Sequence, residues 1–392
     1  MIKVGSDFSG VGAFDQALNK LGIEYCEIFA CDKDKYARQT FIENYGEPKY
    51  YPKDVYEREI PKESLDIYMT SPPCQAFSIA GKRLGKEDKR GILFFNSHEF
   101  IKTNKPRYFI FENVKGLLSD DNGNTFKEWV NMLGGKSVNG LPVLFAYEDS
   151  VPYHIYYKVM NAKKHGVPQN RERVFIIGIR DDQDNTFRWA KEEHLNKQLK
   201  EVLENEVDEK YLLPKDKIEY LLRSDKTGWG KNVLKKPIPK SSHCIDSSYW
   251  KGHRGAQVIK IADYRTDEGL RIRKDNISPC LQSIMQDEFN LKSGRNAPLI
   301  INNKVFEIRT DEGIRLFKDD CVGSIRSGKI NGGDKYVFKN NTIRRLTPRE
   351  CFRLMDFPDT FTWTCSDSQA YKQAGNSIVV RCLELIIKEF KL

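Results

Sequence analysis

KVGSDFSGVGAFDQALNKL, residues 3–21, holds a strand, a turn and a helix in succession. KVGSDF reads as the strand and AFDQALNKL as the helix. Gly10 and Gly12 between them let the backbone turn tightly and approach a ligand. The alternation continues outward. YCEIFACD (25–32) is a strand, KYARQTFIENY (35–45) a helix, LDIYMTS (65–71) a strand and LFFNSHEFIKT (93–103) a helix. RYFIFENV (107–114) and RVFIIGIR (173–180) are further strands. This order predicts an α/β domain on a mostly parallel sheet.

In open α/β sheets ligands bind beyond the carboxyl ends of the strands. Four polar or special groups stand at those ends. The first strand runs into Phe8 and the glycine turn, the second ends at Asp32, the third at Cys74 and the fourth at Glu112-Asn113. Each alone has an ordinary explanation. A tight turn accounts for Gly-x-Gly, a cysteine is usually a small buried hydrophobe, and a strand-end Glu is usually a cap or a surface group. The third glycine of a dinucleotide fingerprint is missing, which counts against a dehydrogenase. The coincidence at one sheet edge is what carries weight. Cys74 also follows Pro72 and Pro73, two residues with φ fixed near −65° and no N–H to donate. A rigid loop holds a nucleophile still and fills a core poorly.

The chain has 392 residues, a hydrophobic share of 39% and a net charge of +9. That length suggests roughly two domains. Residues 211–345 carry 27 Lys/Arg against 16 Asp/Glu, an excess of eleven, so the remainder carries −2. A basic segment of this kind suits a phosphate-facing surface. No apolar run is long enough to cross a membrane and no signal peptide opens the chain. The nine cysteines form no C-x-x-C pair and the six histidines do not cluster. A reduced, cytoplasmic protein with no disulfide and no metal site is expected.

After about Arg180 the pattern changes. WAKEEHLNKQLKEVLENEV (189–207) has a charged, helical look and leads into a Gly-, Lys- and Asn-rich region with short strand-like pieces. RTDEGLRIRKDNISPCL (265–281) is echoed by RTDEGIRLFKDDCVGSI (309–325), as expected of two strand–turn–strand units side by side. The tail, YKQAGNSIVV and the amphipathic VRCLELIIKEFKL, reads as α/β material again and is expected to return to the first domain. The expected domains are 1–180, 181–345 and 346–392.

The motifs DFSGVGAF, SPPCQAFS, FENV, QNRERVFIIG, RRLTPRECFRLMDFPD and QAGNSIV come in this order through nearly the whole chain. In that combination the sequence resembles the DNA (cytosine-5-)-methyltransferases of bacterial and phage type. The resemblance implies a Rossmann-like S-adenosylmethionine-dependent methyltransferase fold with a smaller, mostly β target-recognition domain. It implies duplex DNA as partner and S-adenosylmethionine as methyl donor. A monomer is expected, and a companion restriction endonuclease is compatible with the resemblance.

Carbon 5 of cytosine is a poor nucleophile. A thiolate adding to carbon 6 breaks the aromaticity and makes carbon 5 enamine-like. The resemblance makes Cys74 that nucleophile. Arg171 and Arg173 are the cations that would favour its thiolate. Glu112 would face ring nitrogen N3 as a proton donor, and Arg173 would contact the base oxygen. On the cofactor side the resemblance implies that Phe8 stacks on the adenine, with Ser9, Gly10 and Gly12 around the methionine end. Asp32 would take the ribose hydroxyls and Asp54 the adenine amino group, with Pro73 beside them and Asn376 and Ser377 closing the pocket. The base must be flipped out of the duplex. The loop AGKRLGKEDKRG (80–91) would close over the DNA, with Lys82, Arg83 and Arg90 meeting phosphate.

The sequence departs from the family twice. The acid common two places before the motif's Phe is Ser6 here, with Asp7 one step along, on the opposite strand face. Asp32 stands where a longer Glu is common. An RNA cytosine methyltransferase is the nearest rival reading, although its usual Pro-Phe-Thr after Cys-Gln is Ala-Phe-Ser here. A DNA-binding module without activity is the other; intact Cys74, Glu112 and Arg173 speak against it.

Overall fold

The computed structural model describes residues 1–73, 92–183, 185–193, 195, 197, 199–212 and 342–392. It also describes short strands at 242–243, 262–265, 269–272, 306–309, 313–316, 322–323 and 336–339. Cys74, Lys82, Arg83 and Arg90, with the rest of the loop 80–91, lie outside the described residues, as does most of 213–341.

β1 (Ile2–Asp7) pairs in parallel with β2 (Tyr25–Cys31) on one side and β3 (Ile67–Thr70) on the other, and β3 pairs in parallel with β4 (Tyr108–Val114). The strand order therefore reverses at β1, which makes its carboxyl end the crevice where such sheets bind ligands. The helices α1 (Ala13–Leu21), α2 (Lys35–Tyr45) and α3 (Ile92–Asn104) connect these strands. Gly22, at φ 66°, ends α1 in the left-handed conformation that favours glycine. The Asp34 carboxylate starts α2 by accepting the Tyr36 and Ala37 amides.

The second half of the sheet is mixed, with parallel and antiparallel pairs. α4 (Asn124–Leu133) leads to β5 (Ser137–Val138), β6 (Leu141–Pro142), β7 (Tyr153–Asn161), β8 (Gln169–Asn170) and β9 (Glu172–Arg180). The eight-stranded order is β2-β1-β3-β4-β9-β7-β5-β6, and β9 runs antiparallel to both β4 and β7. The expected, mostly parallel sheet holds for β1–β4 and again where β5 pairs in parallel with β7. Only ten residues separate β7 from β9, too few for a parallel crossover, so the chain returns antiparallel.

The strands alternate between two cores. Tyr108 and Ile110 face one cluster, with α1 and the tail helices; Phe109 and Phe111 face the other, with Phe94, Phe100 and Trp129. The tail forms α5 (Pro348–Leu354), α6 (Asp367–Asn376) and α7 (Val380–Ile387). The buried residues of α7 join α1 in the first cluster. Thr347 and Glu350 form a capping box that starts α5.

Residues 189–207 are not the expected helix. One short 3-10 turn, Leu199–Glu201, is all the regular structure among their described residues. Their backbone groups are taken by other segments instead. Arg353 donates to the Val202 carbonyl at 3.1 Å, the Glu204 amide donates to Glu350 at 2.7 Å, and the Glu193 amide donates to the Lys164 carbonyl at 2.7 Å. With Leu199 and Val202 buried in the first cluster, the stretch lies along the core as a strap.

The basic segment contributes β10 (Ser242–His243), β11 (Ala262–Arg265), β12 (Gly269–Ile272), β13 (Phe306–Arg309), β14 (Gly313–Leu316), β15 (Val322–Gly323), β16 (Tyr336–Lys339) and β17 (Thr342–Arg345). The internal echo proves to be two hairpins of one register, with Arg265 opposite Gly269 and Arg309 opposite Gly313. The two hairpins do not pair with each other among the described residues. β8 takes β10 and β15 as parallel neighbours. Leu212 and Arg344 face each other in an antiparallel bridge where the chain enters and leaves this segment.

Candidate active site

The loop after β1 is built by backbone conformation that few residues accept. Phe8, Gly10 and Gly12 all have positive φ, at 57°, 55° and 81°. A non-glycine in this region stores strain that is characteristic of functional sites. Gly12 opens α1, and a Cβ there would lie 2.2 Å from the Tyr45 ring, so only glycine fits. Beside Gly10 the nearest atom to such a Cβ among the described residues would be the Phe8 carbonyl oxygen, 4.0 Å away, which leaves room for a ligand among them. Asp32 joins this loop to the next one: its carboxylate accepts the Gly10 amide at 2.9 Å and the Asp34 amide at 2.8 Å. Burial raises the Asp32 carboxyl above its usual range, opposed by those two amides. Each oxygen keeps a second lone pair for a ligand hydroxyl. The Ser9 hydroxyl lies 3.3 Å from the Tyr51 hydroxyl. Asp54 is half-buried and its carboxylate accepts the Tyr56 amide at 3.1 Å. This arrangement, an open cradle with an oriented carboxylate and a half-buried aromatic face, fits a nucleoside-bearing ligand.

Glu112 lies inside β4, two residues before its end, and is 7% exposed. In the β4–β9 register Glu112 faces Phe175 and Val114 faces Arg173, so Glu112 and Arg173 are diagonal neighbours on one sheet face. The Arg173 Nε is 3.0 Å from Glu112 Oε1. Burial raises the Glu112 carboxyl; the guanidiniums of Arg173 and Arg171 work against that rise. A buried carboxyl that leans towards its protonated form can donate a proton to a ligand nitrogen.

The residue next to it, Asn113, carries a role the sequence did not reveal. Its Nδ2 donates to the Pro72 carbonyl at 3.2 Å, and its Oδ1 accepts the Val114 amide at 2.8 Å. Pro72 is buried and Pro73 exposed. The Ser71 hydroxyl donates to the Phe8 carbonyl at 3.5 Å, and the Thr70 and Ser97 hydroxyls are 2.8 Å apart. The residues leading to Cys74 are thus tied to β4, to the β1 loop and to α3.

Arg171 is buried, and its Nη2 donates to the Gly375 carbonyl at 3.2 Å and the Ser377 carbonyl at 2.7 Å. Ser377 is buried, with its hydroxyl on the Ile378 carbonyl at 3.2 Å, while Asn376 is exposed at the end of α6. α6 reaches α2 and its N-cap as well: Lys372 pairs with Asp34, and Gln373 accepts the Thr40 hydroxyl at 3.3 Å.

The two departures noted in the sequence resolve differently. Asp7 points into the core, where its oxygens accept Arg58 Nε at 2.9 Å and the Tyr68 hydroxyl at 2.6 Å. Arg58 lies against the Phe100 ring at 4.7 Å, so this is a buried structural pair. The Ser6 hydroxyl instead donates to Glu27 at 3.5 Å, and the Glu27 carboxyl meets that of Asp15. The acid missing at position 6 has a neighbour on β2 in its place.

The C-5 cytosine-specific DNA methylases match residues 2–392 as a family. The chain is 32% identical to the orphan methyltransferase M.SPRI of Bacillus phage SPR, over 99% of this chain and 97% of that one. It is 30% identical to the type II methyltransferase M.HhaI of Haemophilus parahaemolyticus, over 97% and 91%. It is also 31% identical to the type II methyltransferase M.HpaII of Haemophilus parainfluenzae, over 96% and 86%. Among solved structures, a DNMT2 triple mutant from Spodoptera frugiperda superposes with a TM-score of 0.62 at 20% identity, covering 99% of both chains. The methyltransferase EhMeth of Entamoeba histolytica gives 0.59 at 18%, covering 99% and 97%. These two likenesses speak for the fold.

Proposed function

The chain belongs to the C-5 cytosine-specific DNA methylases and methylates carbon 5 of cytosine in DNA, and from that premise we propose the residues and the route. The buried pair Glu112–Arg173, set on one sheet face beside the tethered Pro72–Pro73 turn, carries this reading. Cys74 attacks carbon 6 of a cytosine flipped out of a specific duplex sequence. The S–C bond forms as the carbon 5–carbon 6 double bond opens, and Glu112 gives its proton to N3. Carbon 5 becomes enamine-like. Arg173 holds the base oxygen, and Arg171 with Arg173 favours the thiolate. Once carbon 5 carries the methyl, the carbon 5 proton leaves to water, N3 returns its proton to Glu112, the thiolate departs, and aromaticity returns.

S-adenosylmethionine supplies an electrophilic methyl on its sulfonium. Phe8 stacks on the adenine, Ser9, Gly10 and Gly12 line the methionine end, and Asp32 takes the ribose hydroxyls. Asp54 and Pro73 flank the adenine, and Asn376 and Ser377 close the pocket. Lys82, Arg83 and Arg90 meet phosphate. Residues 1–180 with 346–392 form the catalytic unit. Target recognition lies within 181–345, where the basic excess sits; there the strap of 189–207 runs on the core before the chain departs.

Covalent trapping tests this. Duplex DNA containing 5-fluorocytosine cannot lose its carbon 5 substituent as a proton. Incubated with S-adenosylmethionine, the wild type should give a band shifted on a denaturing gel, and Cys74→Ser should give none. A shifted band in both would sink the assignment of Cys74.

A further inference from the structure

Arg171 is 3% exposed and sits in the QNRER stretch between β8 and β9. Its amide donates to the Gln169 carbonyl at 2.9 Å and its carbonyl accepts the Ala162 amide at 3.0 Å, so its backbone is fixed. Its Nη2 reaches the Gly375 and Ser377 carbonyls, which flank Asn376. Gly375 is in the last turn of α6, where carbonyls have no partner within the helix. A cation there also meets the negative end of the helix dipole. Gln169 holds the neighbouring tail element, donating to the Leu354 carbonyl at 2.6 Å. The Val380 amide donates to the Met355 carbonyl at 3.0 Å, so the α6–α7 link is braced from both sides. Two residues beyond Arg171 stands Arg173, against Glu112.

We propose that Arg171 is a positioning residue: it clamps the Gly375–Ser377 turn so that Asn376 and Ser377 close the S-adenosylmethionine pocket, and it couples that pocket to the cytosine-facing pair Glu112–Arg173. The proposal rests on the functional reading above. One nitrogen bridging two carbonyls from the end of a planar guanidinium is a geometry that the compact ammonium of lysine, on a flexible stem, does not reproduce. Coupling of this kind is reciprocal, so cofactor and DNA each tighten the other by one factor.

Calorimetry with S-adenosylhomocysteine on the full chain tests the clamp without turnover. Arg171→Lys keeps the charge and should bind S-adenosylhomocysteine about 10-fold more weakly. Unchanged affinity overturns the proposal. Should the variant not fold, hydrogen exchange on the wild type decides. S-adenosylhomocysteine should slow exchange across both 169–173 and 375–380, and slowing confined to 375–380 overturns the coupling. No adduct in the wild type would remove the underlying reading instead.

Discussion

Glu112 meets two opposed demands. Burial favours its neutral form, and two guanidiniums favour the charged one. Burial is the larger effect, so the carboxyl titrates above its ordinary range and its acid form persists to higher pH. Turnover that uses this proton should fall as pH rises through the raised value. Glu112→Gln should lower kcat about 10²- to 10⁴-fold and flatten that alkaline limb, as read by methyl incorporation across pH. Asp15 offers a second titration. Burial pushes its carboxyl up to about 6 beside Glu27. A folded value above the unfolded one gives stability that is present at low pH and lost as pH rises through about 6. Asp15→Asn should therefore lessen the loss of stability with rising pH that Asp15 shares with the buried Glu27, measured by urea unfolding at a series of pH values.

Among the elements, the glycine turn is the most demanding. Gly12 has φ 81° and no room for a Cβ against Tyr45. Gly12→Ala should cost roughly 1–3 kcal/mol and abolish S-adenosylhomocysteine binding, read by thermal unfolding and calorimetry. This turn was legible because glycine has few other reasons to recur there. The helices α1 and α2 were legible to the residue in the alternating pattern of the sequence. The strap at 189–207 was not. Its helical look is local, whereas the groups that capture its backbone, Glu350, Arg353 and Lys164, are far away in sequence. The partners of Asn113 and Arg171 were hidden for the same reason: both act on carbonyls, and a carbonyl has no letter in the sequence.

Across the whole molecule, the basic segment enters and leaves at one place. Leu212 bridges Arg344, and Arg344 is locked by two bonds of 2.8 and 2.7 Å to the buried Glu350. Breaking such a buried pair costs about 3–5 kcal/mol, so the neck is a firm part of the core. Replacing 214–342 by a short Gly-Ser linker should leave a folded body that still binds S-adenosylhomocysteine and has lost sequence-specific DNA binding. Calorimetry and gel shift on the same preparation would check both halves; loss of cofactor binding would show that the segment is not separable. The sequence announced this segment by its charge over 211–345, and the neck closes one residue inside those bounds; that the two ends pair was not legible, because the bridge joins residues 132 apart in number.

The antiparallel register of β4 and β9 has a consequence for how the gene can change. Glu112 and Arg173 meet because each strand counts its residues from an opposite end, diagonal across two rungs. A substitution elsewhere on these strands leaves that count intact. A single-codon insertion or deletion between Val174 and Ile179 shifts it by one, and turns Arg173 to the other face of the sheet. Drift along β9 can therefore proceed by replacement, while a one-residue indel there keeps the pair only where a bulge absorbs it, as one does between β1 and β2.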